Sequence, residues 1–376
     1  MEKKVDTFKS GPFVLSLSYD RVKVQNALIK ARVLFVTIGE IPVLPNLASQ
    51  LEEELIRKSI FGTAAIEGNP LSEEAVNKIL TEEEKKKAIE KAEKQIRNLK
   101  EAYRLIRETL ISDKPVPLDE AFIRKLHAVI TDGSEDEKNS PGQYRNHIVK
   151  VGNEEHGGVY TPPKILEDVR KLMTELVSWI NSPEIAKEDP VIRAALAHYY
   201  FALIHPFGDG NGRTARAVEA MMLRSAGFRF VYNMLSNFYY KNIDDYFWAF
   251  SLSERNKEND ITPFLEFFLK GLIDSLEEIR RRIFGLIREF TLKDYYAFLN
   301  MEKDITQRQH DLMSLLLKTA KPFTLKNLFD NDQLRIIYRN VTERTARRDL
   351  KNLAERRLLK FDPASSTFTL NLFVID

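Results

Sequence analysis

Residues 205 to 216 read HPFGDGNGRTAR. Glycine at this density destabilises both helix and strand. The stretch is preceded by ALAHYYFALI, apolar enough for a buried helix, and followed by ARAVEAMMLRSAG, which is amphipathic. A turn between two packed helices is the conformation that fits, and it lies at the start of the second helix, near Asn211. There the first backbone N–H groups lack internal partners and the helix dipole is positive. Gly210 and Gly212 carry no Cβ, so an anion can approach those N–H groups closely: the pattern is a phosphate cradle. Arg213 and Arg216, three apart, can present guanidinium forks to a polyphosphate. Asp209 would repel phosphate unless a cation such as Mg²⁺ lies between them. His205 is the group able to accept a proton near neutral pH. A plain helix–helix turn accounts for any one of these residues, but not for eight of them in one stretch. Together they suit phosphoryl or nucleotidyl transfer.

The stretch resembles the signature of the Fic family, HPFxxGNGRxxR, at every fixed position. That resemblance implies a helical core that transfers AMP from ATP to a protein hydroxyl. His205 would be the general base, Asp209 the Mg²⁺ ligand, and Gly210, Asn211 and Gly212 the anion hole. Arg213 and Arg216 would hold the β- and γ-phosphates, with Phe207 anchoring the loop. GQYRNHIVKVGN and GGVYTPP, upstream, resemble the family's target-docking flap, with Val149, Lys150 and Val151 on it; an added strand is a sequence-tolerant way to dock a target. Tyr246 and Asn256 resemble positions near the adenine, although the spacing before Pro263-Phe264 departs from the commoner pattern by about one residue.

TAAIEGN, residues 63 to 69, puts Glu67 at a helix C-terminus. A carboxylate there is disfavoured by roughly 0.3–1 kcal/mol, which a cationic partner would offset. TAAIEG also resembles the family's inhibitory-helix pattern [ST]xxxE[GN], with Thr63 and Glu67 in the fixed places. The resemblance implies that Glu67 pairs with Arg216 and holds it from the γ-phosphate. In some relatives the same glutamate positions a water for the reverse removal of AMP.

The coarse pattern is mainly α. Helices are expected over 45–66, 72–80, 82–110, 119–130, 164–181, 189–203, 211–226, 237–255 and 261–290. Glu82–Lys86, Glu83–Lys87 and Glu90–Lys94 have the favourable order for helical ion pairs. A β-hairpin is expected from Ile148–Val151 and Val159–Tyr160 around GNEEHGG. The style changes near 292–298. Helix candidates at 306–317, 325–329 and 342–356, then the alternating LLKFDPASSTFTL, follow the order of a winged helix. The expected organisation is an N-terminal helical region with the inhibitory helix over 1–110, a Fic core over 111–290, and a winged-helix domain over 300–376. TERTARRDLKNLAERRLL stands where a recognition helix would, which suits either duplex DNA as a partner or a winged fold used for protein contacts or as a scaffold, with a solvated basic face.

With 376 residues, 43% hydrophobic and 30% charged, the composition is that of an ordinary globular protein, and the net charge of +2 gives no global pull toward nucleic acid or membrane. The absence of cysteine excludes disulfides, thiolate metal sites and cysteine nucleophiles. The N-terminus is a poor signal peptide, and no apolar run approaches a membrane span, so the default compartment is the cytoplasm. Scattered histidines without HxxxH or HExxH spacing argue against zinc. The leading expectation is an autoinhibited protein adenylyltransferase acting on a Ser, Thr or Tyr hydroxyl, its own included, as a homodimer. The alternative is a DNA-binding regulator whose Fic core is a sensor or uses another phosphate-containing donor.

Overall fold

The computed structural model describes residues 2–81, 90–109, 116–133, 139–228, 230, 234–256, 258–319 and 321–375. Its contacts divide into two units, Met1–Arg280 and Arg281–Asp376. As expected, the architecture is mainly helical with small β-hairpins.

The first unit opens with a hairpin that the sequence reading missed. Strands β1 (Glu2–Asp6) and β2 (Pro12–Ser16) pair antiparallel, Glu2 opposite Ser16. Its turn is held by the buried carboxylate of Asp168, which accepts from the Phe8 and Lys9 amides and the Ser10 hydroxyl at 2.6–3.1 Å. Helix α1 (Arg21–Gly39) follows, with Asp20 as a side-chain N-cap. It too escaped the sequence reading, because Val22, Ile29, Val33 and Val36 are exposed and blur its apolar period.

Helix α2 (Pro45–Ile66) fills the expected span. It ends in a Schellman motif: the Gly68 amide bonds Ala65 O, the Asn69 amide bonds Ala64 O, and Gly68 adopts φ +79°. Helices α3 (Glu73–Thr81) and α4 (Lys91–Thr109) follow. The expected Glu82–Lys86 and Glu83–Lys87 pairs lie outside the described residues. Lys94 reaches Asp132 at 2.7 Å rather than Glu90, because α4 packs beside α5 (Glu120–Ile130). A second hairpin pairs β3 (Val151–Asn153) with β4 (Gly158–Tyr160), Val151 opposite Tyr160. Its first strand begins later than expected, at Val151, and runs to Asn153, whose side chain caps the 3-10 turn Glu154–His156.

Helices α6 (Leu166–Ile180), α7 (Pro190–Ile204) and α8 (Asn211–Ser225) form the centre of this unit. Eleven of the α7 side chains from Val191 to Ile204 are buried, which is why α7 shows no polar face. The single expected helix over 237–255 is two, α9 (Leu235–Lys241) and α10 (Ile243–Glu254), broken at Asn242. Gly62 brings α2 tight against α9: a Cβ there would lie 2.8 Å from Asn237 Cα and Ser236 O. This close approach positions the end of α2. Helix α11 spans Thr262–Met301 and does not break near 292–298, where the sequence suggested an edge.

In the second unit, Leu292, Tyr296 and Leu299 continue the helical period into a core with Leu312, Met313, Leu350 and Leu353. Helices α12 (Gln307–Thr319), α13 (Asn327–Asp330), α14 (Leu334–Tyr338) and α15 (Glu343–Glu355) precede the hairpin β5 (Leu359–Asp362) and β6 (Thr367–Leu370). Phe323 bridges Phe368. The five-residue α14 was not expected. Among the described residues, no helix is long and apolar enough to cross a membrane.

Candidate active site

The glycine-rich loop joins α7 to α8 as a tight reversal. His205 ends α7 in the left-handed conformation, φ +49°, with its amide still bonded to Phe201 O at 2.9 Å. Phe207 is fully buried and stacks on His127 with ring centroids 3.6 Å apart. Asn211 closes the loop: its side chain accepts from the Phe207 amide and donates to Phe207 O, each at 2.9 Å. Gly210, φ +73°, starts α8, and a Cβ there would meet the Thr131 methyl at 2.6 Å.

His127 and Arg145 hold this loop from outside, and neither was foreseen. His127 Nδ1 accepts from the Gly142 amide and Nε2 donates to Asp209 O, both at 2.9 Å, so the ring is the neutral Nε2–H tautomer. Burial lowers its pKa to about 4, against the opposing pull of its bond to Asp209 O. The Arg145 guanidinium donates to His147 O, Pro163 O and His205 O at 2.7 Å, and its amide bonds Pro206 O at 2.9 Å. It thereby ties both stems of the β3–β4 hairpin to the loop. In sequence, Arg145 is one arginine among many; only the carbonyls that folding gathers around its guanidinium mark it.

His205 is partly buried, and burial lowers its pKa to about 4, with nearby Arg145 adding to the effect and the carbonyl of Ala202 opposing it. Its Nδ1 faces Ala202 O at 3.4 Å. A carbonyl can only accept, so Nδ1 carries the hydrogen and Nε2 is the basic nitrogen.

The two arginines diverge. Arg213, 4% exposed, donates to both oxygens of Asp209 at 2.8 and 2.9 Å. Its buried Nε has no partner among the described residues. Burial raises the Asp209 pKa, but Arg213 and the Gly210 amide outweigh that and hold the carboxyl below its usual range. Arg216, 2% exposed, turns to the end of α2: its Nε donates to the Thr63 hydroxyl and its Nη2 to Glu67 Oε1, each at 2.7 Å. Burial works against the charge on Arg216, yet Glu67 and Tyr246 more than restore it. The Glu67 oxygen also lies against Gly212, on the space a Cβ would occupy. A carboxylate therefore stands over the start of α8, where an anion would be cradled.

A cavity of about 350 Å³ gathers Glu67, Val151, His205, Gly212, Arg216 and Tyr246, with Tyr160, Phe247 and Phe250 on its apolar side. The sequence thus pointed to most of what converges here. Val149 and Lys150 precede β3 and do not line the cavity; Val151 does. Asn256 does not line it either, because its side-chain oxygen caps the turn at Glu258 at 2.9 Å. The tip of the hairpin is latched to α10: His156 Nε2 meets Asp244 at 2.8 Å, and Ser251 donates to His156 O.

Residues 117–223 match the Fic/DOC family. They form a Fic domain. Among curated proteins, the Fic-bearing chain is 32% identical over 175 residues to protein adenylyltransferase fic-1 of Caenorhabditis briggsae, covering 45% of this chain and 32% of that protein. It is 30% identical over 220 residues to protein adenylyltransferase Fic of Nematostella vectensis, covering 57% and 46%. The chain thus spans about a third to a half of the length of these relatives. Among solved structures, a Fic family protein from Desulfovibrio desulfuricans shares the fold at TM-score 0.56 and 21% identity, over 93% of this chain and 96% of that one. A Fic domain containing signaling protein from Bacteroides thetaiotaomicron does so at TM-score 0.57 and 24% identity, over 70% and 97%.

Proposed function

We propose that this protein is an autoinhibited protein adenylyltransferase that transfers AMP from ATP to a Ser, Thr or Tyr hydroxyl of a protein, itself included. The observation that carries the reading is the Glu67 carboxylate over Gly212, engaging Arg216 at 2.7 Å in the cavity that His205 also lines. A mimic of phosphate in an anion cradle beside a basic nitrogen fits a phosphate-transfer site under restraint. The relatives named protein adenylyltransferase support the same chemistry.

When Glu67 withdraws, Gly212 becomes accessible to phosphate and Arg216 can grip the γ-phosphate. The target hydroxyl attacks the α-phosphorus as its proton passes to His205 Nε2. The bond to the β-phosphate oxygen breaks and pyrophosphate leaves. A triphosphate beside His205 would raise its pKa from the depressed value, making it a better base as the substrate arrives. Asp209 is a single, one-third exposed carboxylate, which suits an ion that keeps several waters and shares phosphate oxygens. Mg²⁺ held there would neutralise the leaving pyrophosphate. A phosphate competing for Arg213 would release the Asp209 oxygens to it. The target would add as a strand beside Val151, whose hairpin is tied to His205 by Arg145.

The test uses wild type, Glu67→Gly and His205→Ala with ATP labelled at the α- or γ-phosphate. Glu67→Gly should gain α-label on itself or on a lysate protein, and His205→Ala should show none. Transfer of γ-label would sink the assignment in favour of a kinase-like reaction.

For the C-terminal unit we propose a winged helix that contacts duplex DNA through α15. Arg344 and Arg348 are exposed on it, though Arg347 is tied to Glu343 at 2.6 Å. A gel shift that weakens with salt is expected, and no shift at low salt would remove this reading.

A further inference from the structure

One side of the cavity is closed by the tip of the β3–β4 hairpin meeting α10. Asn153, His156 and Gly158 from the hairpin line the same space as Phe247, Ser251 and Arg255. His156 makes the join, across 88 residues of sequence. Its ring Nε2 lies 2.8 Å from Asp244 Oδ1, and its Nδ1 lies 2.9 Å from Asn153 Oδ1. The same Asn153 oxygen accepts from the His156 amide at 2.9 Å, which fixes it as the carbonyl end of the side chain. Both ring nitrogens therefore face atoms that can only accept, and both must carry hydrogen. The contact is complete only as an imidazolium–carboxylate pair.

The backbone is close as well. The Ser251 hydroxyl donates to His156 O at 2.5 Å. Gly157, φ +93°, approaches α10 so closely that a Cβ would lie 2.9 Å from Ser251 Cβ and 3.3 Å from the Trp248 ring. The two sides of the join are not equally firm. Helix α10 is anchored behind the cavity: the Tyr246 hydroxyl lies 2.8 Å from Nε2 of His198 on α7, and His198 Nδ1 bonds the Glu219 carboxylate on α8. The hairpin has two strands of three residues, and a lone two-stranded hairpin is marginal in water, so its tip depends on what it touches. The Asp244 side chain is 78% exposed, and an ion pair this wet is weak. Such a contact holds the tip reversibly. The other titratable groups on the elements packed here are Glu154 and Glu155 on the turn, Tyr160 on β4, Asp245 and Glu254 on α10, and Arg255 just beyond it. The Arg255 guanidinium lies against Gly158, and it is His156 that pairs with Asp244.

We infer that His156 and Asp244 are positioning residues: they hold the hairpin tip on α10, close the cavity around a bound nucleotide, and do so only while the His156 ring is protonated. The inference rests on the reading of this cavity as the ATP site. As pH rises the ring gives up one hydrogen, and one of its two hydrogen bonds goes with it. The tip is then freed from α10, and the nucleotide keeps contacts to one wall instead of two.

The test has two arms. Trp248 reports the latch without any ligand, since it is exposed beside Gly157 while the other tryptophan, Trp179, is buried. Between about pH 6 and about pH 8, where an imidazole changes charge, Trp248 emission should shift in wild type and stay level in His156→Gln. The second arm measures Mg²⁺–ATP binding by calorimetry in the Glu67→Gly protein, alone and with Asp244→Ala. The added substitution, which leaves the ring and its packing in place, should weaken ATP about threefold near pH 6 and by less than about 1.5-fold near pH 8. Titration of the nucleotide is common to both proteins and cancels in the comparison. Equal loss at both pH values would assign Asp244 to packing and overturn the inference, as would no loss near pH 6 or the same Trp248 shift in His156→Gln. Failure of Glu67→Gly to bind ATP at either pH would instead overturn the reading of the cavity, and nucleotide closure with it, while the Trp248 titration would still decide whether the latch forms.

Discussion

Arg216 and Glu67 lie 149 residues apart in sequence and meet at 2.7 Å, at the point where the last turn of α2 crosses the first turns of α8. The pairing answers a local conflict. Glu67 sits at the negative end of a helix dipole, and the buried Arg216 needs a counter-charge; each removes the other's penalty. An interaction of this kind can be released by anything that moves the end of α2.

Thr63 and Glu67 should therefore contribute unequally to restraint. Thr63→Ala removes one hydrogen bond to Arg216 Nε and leaves the ion pair. Incorporation of α-label should rise by a few-fold in Thr63→Ala, and by tenfold or more in Glu67→Gly, on the scale of about 1 kcal/mol for a neutral bond and 1.5–3 kcal/mol for a charged one. Equal activity in all three proteins would mean that the contact restrains nothing.

Gly62→Ala should activate from a distance. The new methyl would press on the backbone of Asn237 and Ser236, and α2 would have to shift from α9. Overpacking of this kind costs about 1–3 kcal/mol, and the shift carries Glu67 off Arg216. The expected signature is a lower melting temperature together with more α-label transfer. Lower stability without any gain in transfer would uncouple the helix contact from the site.

The pH profile should set His205 apart from an ordinary histidine. Its pKa is lowered to about 4 by burial, so the base is neutral through pH 6.5, where a solvated imidazole would already titrate. In the Glu67→Gly protein, kcat/KM for ATP should stay level as pH falls through 6.5 and decline only toward pH 4. A decline centred near 6.5 would mean that the ring is solvated.

His127 should make the fold acid-sensitive. Its folded pKa of about 4 is below the unfolded value near 6.5, so between these values the unfolded chain binds a proton that the folded chain does not. The associated stability is fully present above pH 6.5 and is lost as pH falls through about 4, by up to about 3 kcal/mol. In His127→Gln, urea unfolding should give a shallower fall in stability across this window. An unchanged slope would show that His127 is protonated in the folded state.

How much of this was legible in the sequence depended on distance along the chain. The loop from His205 to Arg216 could be read because its groups are contiguous, and glycine density has few other uses. Glu67 stood out because a carboxylate at a helix end is locally unfavourable. By contrast, Arg145, His127, His198 and Glu219 look like ordinary helix or loop residues until folding supplies partners far away in sequence. The β1–β2 hairpin depends on Asp168, about 160 residues distant, and its own pattern is too short to announce it. Tyr246 could be placed in the cavity from its resemblance, but not its hydroxyl's engagement, which needs α7 and α10 side by side. Asn256 was drawn away by a turn that its own side chain caps.

The hold of Arg145 on the carbonyls of His147, Pro163, His205 and Pro206 has a mechanical consequence. One rigid, planar cation sets the height of both hairpin stems against the loop that bears the imidazole. An extended segment pairing along β3 would inherit that height through its backbone, whatever side chains it carried. The hairpin then works as a jig: alignment is built into the protein, and under the proposed function the choice of which polypeptide to present is left to surfaces elsewhere.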